Sequence, residues 1–288
     1  MLDRILLALD SPGDRATLLP HLRMFARAGE SRVVVMKTIP FLETIVEMPG
    51  ELSPKLEGDD EAAEVYVSAV VEALTSEGIE AEGFTNIGRS GLSIAAAAER
   101  IDASLIVVAS QVHARLAEVL LGGRIETLLE ATPLPVYVVS PSAPLRQGRI
   151  LVPIDLTDLS LEAIPTAVGL ARAFRTGLLF LHVVDEGAET AIFKARDLAR
   201  REGIPADLLI RQGDPATEIP KVCREIRSRM IVMRSRVLRG GLAQRLIHRA
   251  PSPLLVVRRA VPEEVEATAT RFSFPSALWG RRVRGSTP

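Results

Sequence analysis

The chain lacks most of what marks a secreted, membrane-bound or catalytic protein. It has one cysteine, Cys223, in 288 residues, so no intramolecular disulfide can form and a reducing compartment is expected. No second cysteine or paired histidine stands near it at metal-ligand spacing, and Cys223 reads as a small buried apolar residue. His21, His113, His182 and His248 lie on separate segments with no metal spacing. His182, near the end of an apolar run, reads as structural. No apolar stretch approaches the roughly 20 residues needed to cross a bilayer. The opening MLDRILLALD carries Asp3 inside its short apolar run, which argues against a signal peptide. A cytoplasmic protein with no membrane partner is expected. Neither G-x-x-x-x-G-K-S/T nor G-x-G-x-x-G nor G-x-S-x-G occurs in a suitable place, so P-loop, Rossmann dinucleotide and hydrolase-elbow chemistries are set aside. Arg224, Arg227 and Arg229 cluster without interleaved aromatics, which argues against nucleic-acid binding beyond a local patch.

Aromatics are also scarce, at 4%. Packing therefore falls to Leu, Ile, Val and Ala, the composition of buried parallel sheets flanked by helices. The net charge of −1 conceals an imbalance. Residues 1–147 hold 12 basic and 21 acidic residues, and residues 148–288 hold 23 and 15. Opposite fields of this kind would help two halves dock, or help monomers pair.

What is present is a repeat. Residues 4–10, RILLALD, return as 149–155, RILVPID. Each is an apolar strand ending in an acid, Asp10 or Asp155. Turn residues and an amphipathic helix follow, over 15–28 and 159–174, then a second strand, 33–36 and 178–183. Both copies continue with a helix, a third strand and a glycine-led helix start, Gly88-Arg89-Ser90-Gly91 and Gly213-Asp214-Pro215-Ala216. A fourth strand leads to a second helix start at Gly122-Gly123 and Gly240-Gly241. A final strand follows a Pro-x-Pro turn, Pro133-Leu134-Pro135 and Pro251-Ser252-Pro253. Alternating strands and helices predict a doubly wound α/β fold with a parallel sheet. The expected division is a first domain over 1–142, a linker over 143–148, a second domain over 149–260, and a tail over 261–288 without regular structure. The Pro-, Gly- and acid-containing insertion at 40–60 has no counterpart in the second copy. Phe272, Phe274 and Trp279 beside Arg281, Arg282 and Arg284 would suit a docking tail.

These marks, in this order and twice, resemble a tandem universal stress protein over roughly residues 2–260. The resemblance implies five parallel strands per domain in an adenine-nucleotide-binding-like fold. It also implies that the last strands, Leu134–Val139 and Leu254–Arg258, pair edge to edge as an intrachain pseudo-dimer, an arrangement that removes two aggregation-prone edges. In nucleotide-binding members the acid ending the first strand contacts adenosine. Their phosphates lie on a loop of the form G-x2-G-x9-G-(S/T) after the fourth strand, as suits free backbone N–H groups at a helix start. On the first copy those four places fall on Ala109, Val112, Gly122 and Gly123, so one glycine of three remains and the hydroxyl is missing. The second copy has five residues, 235–239, where the first has twelve, 110–121, and reads Arg234-Ser235-Arg236-Val237-Leu238-Arg239-Gly240-Gly241. Its arginines could hold an anion without the glycines.

The candidate nucleotide or anion site therefore comprises Asp10, Gly122 and Gly123 in the first copy. In the second it comprises Asp155, Gly213, Arg234, Arg236, Gly240 and Gly241. Two functions follow. One is a non-catalytic stress-response protein with degenerate nucleotide sites and no cofactor, acting through a protein partner, self-association or small-ligand sensing. The other is an ATP- or AMP-binding protein with slow hydrolysis.

Overall fold

The computed structural model describes residues 2–11, 13–40, 57–88, 90–110, 123–141, 143–154, 162–184, 196–197, 199–235, 241–257 and 283–284. The first repeat forms β1 (Arg4–Leu9), α1 (Asp14–Gly29), β2 (Arg32–Pro40), α2 (Glu57–Thr75), β3 (Ala81–Gly88), α3 (Ser90–Arg100), β4 (Leu105–Ala109), α4 (Arg124–Ala131) and β5 (Val136–Val139). The second forms β6 (Ile150–Pro153), α5 (Ile164–Ala173), β7 (Leu178–Val184), β8 (Ala206–Gln212), α6 (Pro215–Glu225), β9 (Met230–Arg234), α7 (Leu242–Arg249) and β10 (Leu254–Val257). Most of the insertion, 41–56, lies outside the described residues, and its last residues open α2. The helix expected over 159–174 is seen from Ile164, with Pro165 in its first turn, where a missing N–H costs nothing. Residues 155–161 lie outside the described part.

All eleven strands join one sheet, in the order β11-β3-β2-β1-β4-β5-β10-β9-β6-β7-β8. Each repeat steps outward from its first strand to its third and then crosses back. β1 thus lies between β2 and β4 in parallel register, and β6 lies likewise between β7 and β9. That reversal opens a crevice at the carboxyl ends of β1 and β4, where doubly wound sheets bind ligands. The halves meet through β5 and β10, which pair antiparallel as Leu254↔Val138, Leu255↔Tyr137 and Val256↔Val136. Two five-stranded parallel sheets thus form one pseudo-dimer, with the final strands together as the resemblance implied.

Successive residues of a strand face opposite sides, and the two helical layers use this fully. Ile5, Leu7 and Leu9 join one apolar cluster and Leu6 and Ala8 the other, and each cluster runs through both halves. At the join, the scarce aromatics concentrate. Phe25 of α1 meets Tyr137 of β5 edge-on at 4.8 Å and Phe174, just after α5, at 5.4 Å. Arg229 lies over the Phe174 ring at 5.2 Å and donates to Met24 Sδ at 3.4 Å. At the start of the linker Ala143 is buried and its N–H bonds Ser140 O at 2.8 Å, while Leu145 is exposed. A Cβ at Gly148 would strike the Arg227 backbone. Cys223 is buried, and burial pushes its thiol up to about 11. His182 is buried too, with Nδ1 at 2.8 Å from Ile154 O.

One expectation is corrected. The tail is not without regular structure throughout, because Val283–Arg284 forms β11. It pairs antiparallel with β3, Val283 opposite Gly83 and Arg284 opposite Glu82. The physical reason is an open sheet edge with unpaired backbone groups. Among the described residues no helix is long and apolar enough to cross a membrane.

Candidate functional site

The crevice of the first repeat is built on the turn after β1. Asp14 opens α1 and is buried. Its Oδ2 accepts from the backbone N–H groups of Asp10 at 2.7 Å and Ser11 at 3.0 Å, and Ser11 Oγ donates to its Oδ1 at 2.9 Å. Tyr66 of α2 ties down the same turn, donating from Oη to Ser11 O at 3.1 Å. The Asp10 side chain is thereby held over the carboxyl end of β1. There Arg124, the first residue of α4, places Nη1 2.7 Å from Asp10 Oδ2. Both side chains are largely covered, 16% exposed for Arg124 and 24% for Asp10. Lys37 of β2 donates to the Asp10 carbonyl. Burial lowers the Lys37 ammonium pKa, opposed by the carboxylates of Asp10 and Asp14 and assisted by the Arg124 charge.

The helix start that would cradle phosphate has its own anion. Gly123 is the N-cap of α4, and Glu126, 5% exposed, stands three residues on. The Glu126 carboxylate lies folded over Gly123 so closely that a Cβ there would overlap it. A serine or threonine, which the nucleotide-binding pattern places at this position, would not fit without a shift. The carboxylate sits where helix N–H groups and the positive end of the dipole favour a negative group. Among the described residues near the crevice, the carboxylates Asp10, Asp14 and Glu126 outnumber the cations Lys37 and Arg124. Ser110, at the end of β4, is buried with its Oγ unpartnered.

The second repeat differs at the same places. Gly241 is the N-cap of α7, and the residues matching Arg124 and Glu126 are Leu242 and Gln244. Gln244 Nε2 donates to Glu126 Oε1 at 3.2 Å, which joins the two helix starts across the pseudo-twofold. Arg234 ends β9, is 10% exposed, and places Nη1 2.8 Å from Glu162 Oε2. Gly213 has φ +128°, a conformation suited to glycine, and turns the chain into α6 with Asp214 as N-cap and Pro215 at the first position. Arg245 of α7 forks onto Asp214 at 3.1 and 2.9 Å, and Thr217 Oγ1 donates to it at 2.9 Å. These hydrogen bonds, Arg245 first and Thr217 second, lower the Asp214 carboxyl pKa.

Of the sequence-derived candidates, Asp10 and Gly123 are brought together through Arg124. Gly213 and Gly241 are brought near through the Asp214–Arg245 pair. Arg234 stands apart from these contacts, engaged by Glu162. Gly122, Asp155, Arg236 and Gly240 lie outside the described residues. Sequence reasoning missed Arg124, Glu126, Lys37, Asp14 and Arg245. The signal for the first two was present, since charged residues immediately after a glycine pair occupy the very positions that would flank a phosphate.

The sequence pattern of the Universal stress protein family matches residues 1–140 and 186–258. The chain belongs to that family. This places it among stress-response proteins. Universal stress protein MJ0531 of Methanocaldococcus jannaschii is 27% identical over 143 residues, 40% of this chain and 84% of that protein. A universal stress protein from Archaeoglobus fulgidus DSM 4304 superposes with a TM-score of 0.78 at 24% identity, covering 91% of this chain and 98% of that one. A second structure, from Pseudomonas aeruginosa UCBPP-PA14, gives 0.62 at 18% identity, covering 94% and 97%. These two similarities concern the fold.

Proposed function

We propose that this universal stress protein is a non-catalytic, cytoplasmic member whose nucleotide sites are degenerate and which acts through protein contacts or small-ligand sensing. One observation carries the reading: the first repeat supplies its own ion partners to both ends of the crevice. Arg124 engages the acid that would meet adenosine, and Glu126 covers Gly123, which stands where the pattern has its hydroxyl. Binding ATP there would require displacing a largely buried ion pair and a buried carboxylate, and leaving either charge unpaired costs several kcal/mol.

A second reading, adenine-nucleotide binding with slow hydrolysis, is favoured by the second repeat alone. There the neutral Gln244 replaces Glu126 at the helix start. Asp155, Arg234, Arg236, Gly240 and Gly241 would be the residues involved. The two readings separate on protein purified without added nucleotide. Heat-released small molecules are identified by mass, and phosphate release from ATP is followed. Neither a stoichiometric nucleotide nor turnover is expected. A stoichiometric adenine nucleotide, lost in Asp155→Ala, would favour the second reading.

A further inference from the structure

The two ends of the eleven-stranded sheet are equivalent by the repeat and unequal in what covers them. β3 ends the first half and β8 the second, with Ala81 opposite Val33 of β2 and Ala206 opposite Leu178 of β7. The first edge carries an added strand, β11. The second carries none among the described residues.

The backbone of β8 is oriented for such an addition. Pro205 O accepts from Leu178 N–H at 2.8 Å, and Gly213 N–H donates to Val184 O at 3.3 Å. Residues 205, 207, 209, 211 and 213 therefore turn their polar groups toward β7, and 206, 208, 210 and 212 turn theirs outward. Consistently, Ala206 O accepts from Arg200 Nε at 3.2 Å. By the same alternation Gly83, which β11 meets, turns outward on β3, and Leu208 is its counterpart. Ile210, two residues on, is 37% exposed.

Charge says what the strand should be. Around β8 a cavity of about 780 Å³ is lined by Arg149, Arg196, Arg200 and Arg211 against Asp207 and Glu225. Arg149 pairs with Asp207, Arg196 with the neighbouring Asp197 at 3.2 Å and Arg211 with Glu225 at 2.7 Å, all six side chains part-exposed. Such pairs contribute little and yield readily to an incoming carboxylate. A second copy joined β8 to β8 would set these arginines against one another, so self-pairing is disfavoured. We propose that the outer edge of β8 binds an extended acidic peptide segment of a partner protein by strand addition. The backbone would supply the hydrogen bonds and the four arginines the preference for acid. The β8 edge is at the far end of the second half from Asp10, so the inference holds whichever reading of the nucleotide site is right.

The probe is a fluorescein-labelled peptide of alternating valine and glutamate, about eight residues long. Controls are its valine–lysine counterpart, a version N-methylated on alternate residues, and a DNA oligomer. With the full chain at low salt, the valine–glutamate peptide is expected to bind. The lysine and N-methylated peptides should bind about tenfold more weakly or worse. Amide exchange should slow at Leu208, Ile210 and Gln212. Arg200→Glu, at an exposed position, should weaken binding about tenfold without altering the melting temperature. The proposal is overturned by any of four results: no binding of the acidic peptide, equal binding of the lysine peptide, binding with unchanged exchange in β8, or preferential binding of DNA that Arg200→Glu abolishes.

Discussion

Gln244 of the second repeat hydrogen-bonds Glu126 of the first at 3.2 Å, and the two occupy the same position in their repeats, three residues beyond the N-cap glycine. A symmetric dimer with Glu at that place would bring two carboxylates together on its twofold axis. Two covalently joined, diverged repeats replace that repulsion with an amide donating to an acid. Gln244→Glu should therefore destabilise the chain by about 1–3 kcal/mol at neutral pH, read as a melting temperature several degrees lower. Like charges raise a carboxyl pKa, so the deficit should shrink as pH falls and one of the pair takes up a proton. A deficit independent of pH would count against this arrangement.

Gly123→Ser restores the hydroxyl of the nucleotide-binding pattern but collides with Glu126. Because the group met is the far end of the Glu126 side chain, the shift is small, and a loss of no more than about 1 kcal/mol in urea unfolding is expected. In Glu126→Ala the same serine should cost markedly less, a coupling that a double-mutant cycle measures directly.

His21 gives the pH dependence. It is buried, its Nδ1 lies 3.0 Å from Tyr137 Oη, and burial lowers its pKa to about 4 against the weaker opposing effect of a hydrogen bond to the Ala143 backbone. Burial keeps Tyr137 protonated far into base, with Arg229 opposing, so the phenol donates to a neutral imidazole. The unfolded chain takes up this proton near pH 6.5 and the folded chain only near 4. Stability from this group is therefore complete above about 6.5 and declines as pH falls to about 4, by roughly 3 kcal/mol in all. Chemical unfolding of the native chain and His21→Gln between these limits should show a shallower decline in the variant.

Removing residues 261–288 should uncover the β3 edge without unfolding the sheet, because β11 contributes only two residues. The melting temperature should fall by no more than about 3 °C, while amide exchange at Gly83 quickens. Unchanged exchange at Gly83 would contradict the β3–β11 pairing.

Much of the fold was legible because its signals are local. The apolar runs of β1 and β6, the Gly213-Asp214-Pro215 helix start and the strands at 136–139 and 254–257 are each set by a few neighbouring residues. The rest depends on contacts between distant positions. Nothing local in Val283–Arg284 distinguishes a strand from loose chain, because its partner is Gly83, about two hundred residues earlier. The missing glycines showed that the phosphate loop had diverged. That Arg124 reaches Asp10 required the β1–β4 juxtaposition, which brings residues more than a hundred apart to one crevice.

The most direct test of the self-filled crevice is calorimetric titration of ATP into the full chain, with Asp10→Ala and Asp155→Ala in parallel. No saturable binding tighter than about 1 mM, or about 4 kcal/mol, is expected for the native chain. A micromolar dissociation constant at one site per chain, abolished by Asp10→Ala and untouched by Asp155→Ala, would contradict it.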